Sequence, residues 1–312
     1  MNPAHWVARN SHQIPNQPAI ADGDQVHSTW SQFAATVART ATGLRDGFGL
    51  AHGDRVAIVM RNRPEYLEAM FAIWHAGMVA VPVNARLHRD EIKYILEHSK
   101  AAVVLTDDDH ADDVLPLVDE VDTLTAAVLT PGPQWQQIVG AEPTALVPRR
   151  GDDPAWLFYT SGTTGRPKGA TLTNRNLLMM SLSYFADIDA ITSNDCVLHA
   201  APISHGSGLY GLPHIARGAT SVIPRWVAKF GDRGLHHAAV RVEDIERTIA
   251  TLEAPLNMYK SSAEEKAVYC PWAKGFLGNA DHEIVAKAGM VMNRCAGEYI
   301  DAWLDEAEKR HK

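Results

Sequence analysis

Two spacings of apolar residues alternate along the first part of the chain. Ser28-Thr29-Trp30-Ser31 supplies a helix start, and Phe33, Val37, Ala41 and Leu44 recur behind it at helical spacing. Gly53-Asp54 then turns the chain into residues 55–60, where Arg55 is followed by five apolar residues, a run that predicts a buried strand. Residues 64–74 read as a helix with proline in its first turn and Gly77 beyond its end. Strands are predicted at 79–83, 101–106 and 125–130, with a short helix at 90–98 between the first two. This β-α-β-α order predicts an α/β fold, a largely parallel sheet covered by helices in three layers. Proline- and glycine-rich loops at 131–133 and 148–154 interrupt it, the second leading into a strand at Trp156-Leu157-Phe158. A helix at 176–185 and strands at 196–200 and 220–224 follow.

Composition narrows the class. The chain has 312 residues, 46% of them hydrophobic and 21% charged, as expected of a globular protein of one large or two smaller domains. The net charge of −8, with no block of Lys or Arg, argues against nucleic acid as a partner. Cysteines at 196, 270 and 295 form neither a disulfide framework nor a C-x-x-C pair. The first residues lack the basic and apolar regions of a signal peptide, and no apolar run is long enough for a membrane span. A reducing, cytoplasmic setting is the expectation.

The chemistry concentrates in Tyr159-Thr160-Ser161-Gly162-Thr163-Thr164-Gly165-Arg166-Pro167-Lys168-Gly169. An apolar strand feeds it, and Thr173-Asn174-Arg175-Asn176 looks like a helix start beyond it. Strand, loop, helix is the order of a phosphate cradle. Glycines let the backbone approach an anion, the hydroxyls of Ser161, Thr163 and Thr164 can donate to phosphate oxygens, and Lys168 adds a point charge. The spacing is not that of a Walker A loop.

This loop closely resembles the signature of the adenylate-forming superfamily, which includes acyl-CoA synthetases, luciferases and the adenylation domains of peptide synthetases. The resemblance extends to residues 77–84, similar to a structural core motif of that family. It also covers Ala201-Pro202-Ile203-Ser204-His205-Gly206-Ser207-Gly208, similar to the motif that borders the acyl pocket. It implies that residues 160–165 and Lys168 hold ATP, with Mg²⁺, and that His205 and Gly206 flank a small carboxylic acid. Coenzyme A is implied as the acceptor.

The resemblance runs to about residue 225 and stops there, so the expected division is a partial family domain at 1–226 and a mainly helical segment at 227–312. The sequence contains neither a Tyr-Gly-x-Thr-Glu motif nor a Thr-Gly-Asp motif. In the family these positions help to hold Mg²⁺ and the ribose, and a later lysine meets charge on the α-phosphate. Residues 242–252 and 281–309 read as amphipathic helices, the latter with a stripe including Ile284, Ala288, Val291, Cys295 and Trp303. Residues 234–242 faintly resemble the first strand of glyoxalase-type metal enzymes. No second ligand accompanies His236 or His237, so no protein metal site is expected.

Two functions fit. One is ATP-dependent activation of a fatty or aryl acid, through an acyl-adenylate, to an acyl-CoA. The other is a truncated or recombined relative that is catalytically weak and retains nucleotide binding or only the fold. An unfinished sheet would leave edges to cover, which suits a homo-oligomer.

Overall fold

The structure, a computed structural model, describes residues 1–160 and 166–224. The sequence-read helices at 242–252 and 281–309, the glyoxalase-like stretch and Cys270 lie outside the described residues. The chain opens with α1 (Ala4–Gln13), a hairpin of β1 (Pro18–Asp22) and β2 (Gln25–Thr29), and the long α2 (Trp30–Phe48). Next come β3 (Arg55–Val59), α3 (Pro64–His75), β4 (Val79–Pro82), α4 (Arg89–Ser99) and β5 (Ala101–Thr106). Short elements α5 (Ala111–Val114), β6 (Ala126–Leu129) and α6 (Pro133–Val139) lead to β7 (Pro154–Thr160) and β8 (Lys168–Thr173). The described part closes with α7 (Asn174–Asp187), β9 (Cys196–Leu198), α8 (Gly206–Arg217) and β10 (Thr220–Ile223).

The strands divide between two sheets. One has the order β6-β5-β3-β4-β7-β8, parallel throughout except for β8 on its edge. The other has the order β2-β1-β10-β9, in which β1, β10 and β9 run parallel and β2 antiparallel. The α/β class and the parallel-rich layering follow the sequence expectation. Helix α3 touches β3 and β4 of the first sheet and β1 of the second. That position explains its composition: every residue from Tyr66 to His75 is buried, so it carries apolar groups all round, not a single stripe.

Local chemistry sets the boundaries. Thr29 caps α2 through a reciprocal box with Gln32, and Gly49 ends the helix in a left-handed conformation (φ 65°). Gly77, also left-handed (φ 74°), takes the chain from α3 into β4. The core contains a continuous series of ring contacts. It runs from Trp30 to Phe33 (6.0 Å), Phe71 (5.7 Å), Trp74 (5.0 Å), Trp156 (6.0 Å) and Phe158 (6.0 Å). The Trp74 indole N–H donates to the Ala155 carbonyl at 2.7 Å, so β7 is fixed to α3 by a hydrogen bond as well as by packing. Among the described residues no helix is long and apolar enough to cross a membrane.

Candidate active site

Strand β7 organises the site. Its parallel neighbours put its carboxyl end beside those of β3, β4 and β5, the edge of an open α/β sheet where ligands bind. Thr160 is the last residue of β7 and Lys168 the first of β8, and the two pair across the hairpin, both exposed. Ser161, Gly162, Thr163, Thr164 and Gly165 lie outside the described residues.

One expectation is corrected here. The chain does not pass from the loop directly into a helix. Residues 168–173 form β8, antiparallel to β7, and α7 begins only at Asn174. Thr173 is the α7 N-cap, in a reciprocal box with Asn176 (2.9 and 3.2 Å). The helix start was read correctly, but a strand separates it from the loop. β8 was missed because Lys168-Gly169-Ala170-Thr171-Leu172-Thr173 is polar, glycine-containing and mostly exposed, so no alternation marks it.

The two faces of the hairpin differ. Tyr159 faces α4: its hydroxyl lies 2.8 Å from His98 Nδ1, and Tyr94 stacks on His98 at 5.5 Å. Arg166 lies over the Tyr94 ring with its guanidinium carbon 5.6 Å from the centroid. Burial pushes the Tyr159 phenol up to about 12, so it is neutral. A Cβ on Gly169 would stand 2.8 Å from the Tyr159 ring, which is why the facing residue on β8 is glycine. The opposite face carries Trp156, Phe158 and Thr160, by the two-residue period of a strand, and Lys168 lies there as the cross-strand partner of Thr160.

His205 meets that second face. It is half-buried at the start of α8, and its ring packs edge-on against Phe158 at 5.4 Å, extending the aromatic series to the site. Ser204 Oγ lies 2.9 Å from His205 Nδ1. Gly206, the first residue of α8, is partly buried beside it. The packing there is tight: a Cβ on Gly208 would fall 2.0 Å from the Ile203 carbonyl oxygen. Strand β7 thus carries the base of the hairpin and the ring that supports His205.

Some residues that shape this end of the sheet were not legible in the sequence. Buried Asn62, just beyond β3, bonds to the loop that carries His205. His199 is fully buried, with Nδ1 2.9 Å from Ser207 Oγ, and burial followed by the nearby His214 takes its pKa down to about 3. Asp107 accepts from the Arg61 amide at 2.8 Å and pairs with His110. Burial would raise the Asp107 carboxyl, but those two bonds overcome it and leave its pKa lowered. His110 is raised by the Asp107 bond against its own desolvation. The signal that could have found Asn62 and Asp107 is their position directly after parallel strands. Among the described residues no group of three or more His, Cys, Asp or Glu could hold a metal ion.

Residues 7–257 match the family model for AMP-binding enzymes, and the chain belongs to that family. The match runs on to residue 257, past the point near 225 where the motifs stop being recognisable in the sequence. The chain is 35% identical over 220 residues to a feruloyl-CoA synthase of an Amycolatopsis species, covering 70% of this chain and 43% of that enzyme. It is 31% identical over 219 residues to the long-chain-fatty-acid–CoA ligase FadD13 of Mycobacterium tuberculosis, covering 65% and 41%. Among solved structures, the N-terminal domain of FACL13 from Mycobacterium tuberculosis superposes with a TM-score of 0.64 at 25% identity, covering 72% of this chain and 57% of that one. The chain therefore spans less than half the length of these two curated relatives.

Proposed function

We propose that the chain serves ATP-dependent activation of a carboxylic acid, aryl or fatty, to an acyl-adenylate and then an acyl-CoA. The observation that carries this reading is the shared strand: Thr160 and Lys168 at the hairpin base lie on the same face of β7 as Phe158, which touches His205. A phosphate-binding loop and an acid-binding wall would then meet at one sheet end. The feruloyl and long-chain acyl relatives support both acid classes.

In this reading Thr160, Ser161, Gly162, Thr163, Thr164, Gly165 and Lys168 hold the β- and γ-phosphates, while His205 and Gly206 border the acid. One carboxylate oxygen attacks the α-phosphorus, the bond to pyrophosphate breaks, and the new leaving group on the acyl carbon is AMP. The sulfur of coenzyme A then attacks that carbon, gives up its proton, and AMP departs. Lys168 would offset charge on the departing pyrophosphate. The described residues offer Mg²⁺ no carboxylate cage, so the cation would enter on the nucleotide's phosphates. The cysteines, without a pairing pattern, suit a reducing cytoplasm.

A second reading is favoured by one observation: the sequence has neither the Tyr-Gly-x-Thr-Glu nor the Thr-Gly-Asp motif. Phosphate binding alone stabilises ground and transition states alike and lowers no chemical barrier. In this reading the 312 residues bind nucleotide with little turnover. Acid-dependent ATP–pyrophosphate exchange, measured on the purified chain with panels of aryl and fatty acids, separates the two. Strong exchange with any acid supports the first, and ATP binding without exchange supports the second. Absence of both would leave only the fold.

A further inference from the structure

We propose that Asn62 is the positioning residue of the acid-binding wall, setting the conformation of residues 199–205 without touching the acid. The inference rests on the proposed role of His205. Asn62 is buried just beyond the carboxyl end of β3, in the six-stranded sheet. The loop it holds leaves the carboxyl end of β9, in the four-stranded sheet, and enters α8. Asn62 Nδ2 donates to the His199 carbonyl at 2.8 Å and to the Ala201 carbonyl at 2.7 Å, and Oδ1 accepts from the Ile203 amide at 2.9 Å. Only one orientation of the amide satisfies two carbonyls and one N–H, so its O and N are assigned by their partners.

This one side chain satisfies alternate backbone groups of a short loop that has no strand partner. Such buried groups are costly to leave unpaired. Other anchors include two at the loop's ends and one inside it, the His205 amide on the Pro202 carbonyl. His199 N–H donates to the Val222 carbonyl at 2.9 Å, and the His199 ring bonds Ser207 Oγ across the loop. In the middle, the Ala201 carbonyl and the Ile203 amide are held by Asn62. Two residues beyond Ile203 stands His205, packed on Phe158. The His205 N–H donates to the Pro202 carbonyl at 3.1 Å, so the histidine backbone is tied to the very stretch that Asn62 holds, and a shift of that stretch would carry His205 with it. Asparagine is required in particular: aspartate keeps the acceptor for Ile203 but turns a carboxylate towards two carbonyls, and alanine removes all three bonds.

The test uses the full chain and two readouts: amide-exchange protection factors over residues 199–206, and binding of two probes, ferulate and laurate. In the wild type, Ile203 should be protected to the level of the β9 amides. Asn62→Ala should speed its exchange by roughly tenfold or more, leaving β3–β5 unchanged, and should weaken probe binding about as much as His205→Ala does. Asn62→Asp should match Asn62→Ala at neutral pH and regain protection on acidification, as the carboxyl gains a proton to donate; a merely space-filling role would show no such recovery. An exposed Ile203 amide in the wild type overturns the proposal even if no variant folds. So does unchanged exchange in both variants, or a loosened loop with undiminished binding while His205→Ala weakens it. If His205→Ala leaves probe binding intact, the acid-wall reading fails by itself, and the Ile203 exchange still decides whether Asn62 sets the loop.

Discussion

His199 should make the fold acid-sensitive in a way that one substitution removes. Its ring is completely buried, and its pKa falls from 6.5 to about 3, first through desolvation and then through His214. Nδ1 is engaged with Ser207 Oγ, and Nε2 has no hydrogen-bond partner among the described residues, so a second N–H would have no acceptor. The folded state therefore keeps the neutral ring, while the unfolded chain takes up a proton below its ordinary pKa. A depressed histidine pKa leaves stability untouched above pH 6.5 and removes it as pH falls from there towards 3. The slope is about 1.4 kcal/mol per pH unit once the unfolded histidine is mostly protonated, which gives a loss of about 2 kcal/mol between pH 7.5 and pH 5.

Other groups titrate in the same window. His75, lowered mainly by burial, adds to the loss, whereas His27 and His110, raised by Glu68 and Asp107 respectively, act in the opposite sense. The clean quantity is therefore the difference between the wild type and His199→Asn, whose amide can still bond Ser207. Urea unfolding at pH 7.5, 6.5, 5.75 and 5 measures it. The two proteins should converge as pH falls, because only the wild type pays the histidine term, and the gap should change by about 2 kcal/mol. Parallel pH dependences, within about 0.5 kcal/mol, would show that His199 is not held neutral and that the burial argument is wrong.

Lys168→Ala should weaken ATP binding by roughly 1.5–3 kcal/mol and AMP binding far less, since the outer phosphates are its assigned partners; equal losses in titration calorimetry would assign the loop the wrong contacts. Gly208→Ala should destabilise by about 1–3 kcal/mol or more in urea unfolding, because its Cβ would meet the Ile203 carbonyl oxygen at 2.0 Å and backbone has little room to yield; a neutral result would refute that packing. Thr173→Ala should cost about 1 kcal/mol by the same measurement through loss of the α7 cap, and Thr173→Ser should restore most of it.

The elements legible in the sequence were those whose packing partner is close in the chain or whose apolar pattern is strong. Helix α2, with its cap at Thr29, and strands β3 and β5 are of this kind, each marked by a run of buried residues between turn signals. Helix α8 was not predicted as a helix. Gly206, Gly208, Gly211 and Pro213 give it low intrinsic propensity, yet two of those glycines are demanded by neighbours. Gly208 abuts the Ile203 carbonyl, and a Cβ on Gly211 would stand 2.8 Å from the His199 ring. Tertiary contact overrides propensity there, and no local pattern announces it. Asn62 was invisible for a related reason: its partners at 199, 201 and 203 are about 140 positions away. The candidates at 160–168 stood out because a phosphate loop needs glycine, hydroxyl and charge in close succession, which a sequence displays directly, whereas His205 became a candidate only through the resemblance of residues 201–208 to a family motif.

The intervening β8 changes the electrostatics expected at the loop. In a strand–loop–helix cradle, an anion is met by the first free amides and the positive end of the helix dipole. Here the first turn of α7 lies beyond a six-residue strand. An extended chain of that length places Thr173 roughly 17 Å from Lys168. The dipole's influence falls off within the helix's own first turn, so α7 contributes nothing at Thr160 or Lys168. In the proposed role, phosphate charge would then be met without α7, and Lys168 would carry more of it. Arg166 lies over Tyr94 on the far side of the hairpin. A loop that gains nothing from α7 should depend on its lysine more than a cradle that opens directly into its helix does, and the difference between the ATP and AMP losses in Lys168→Ala is the direct measure of that dependence.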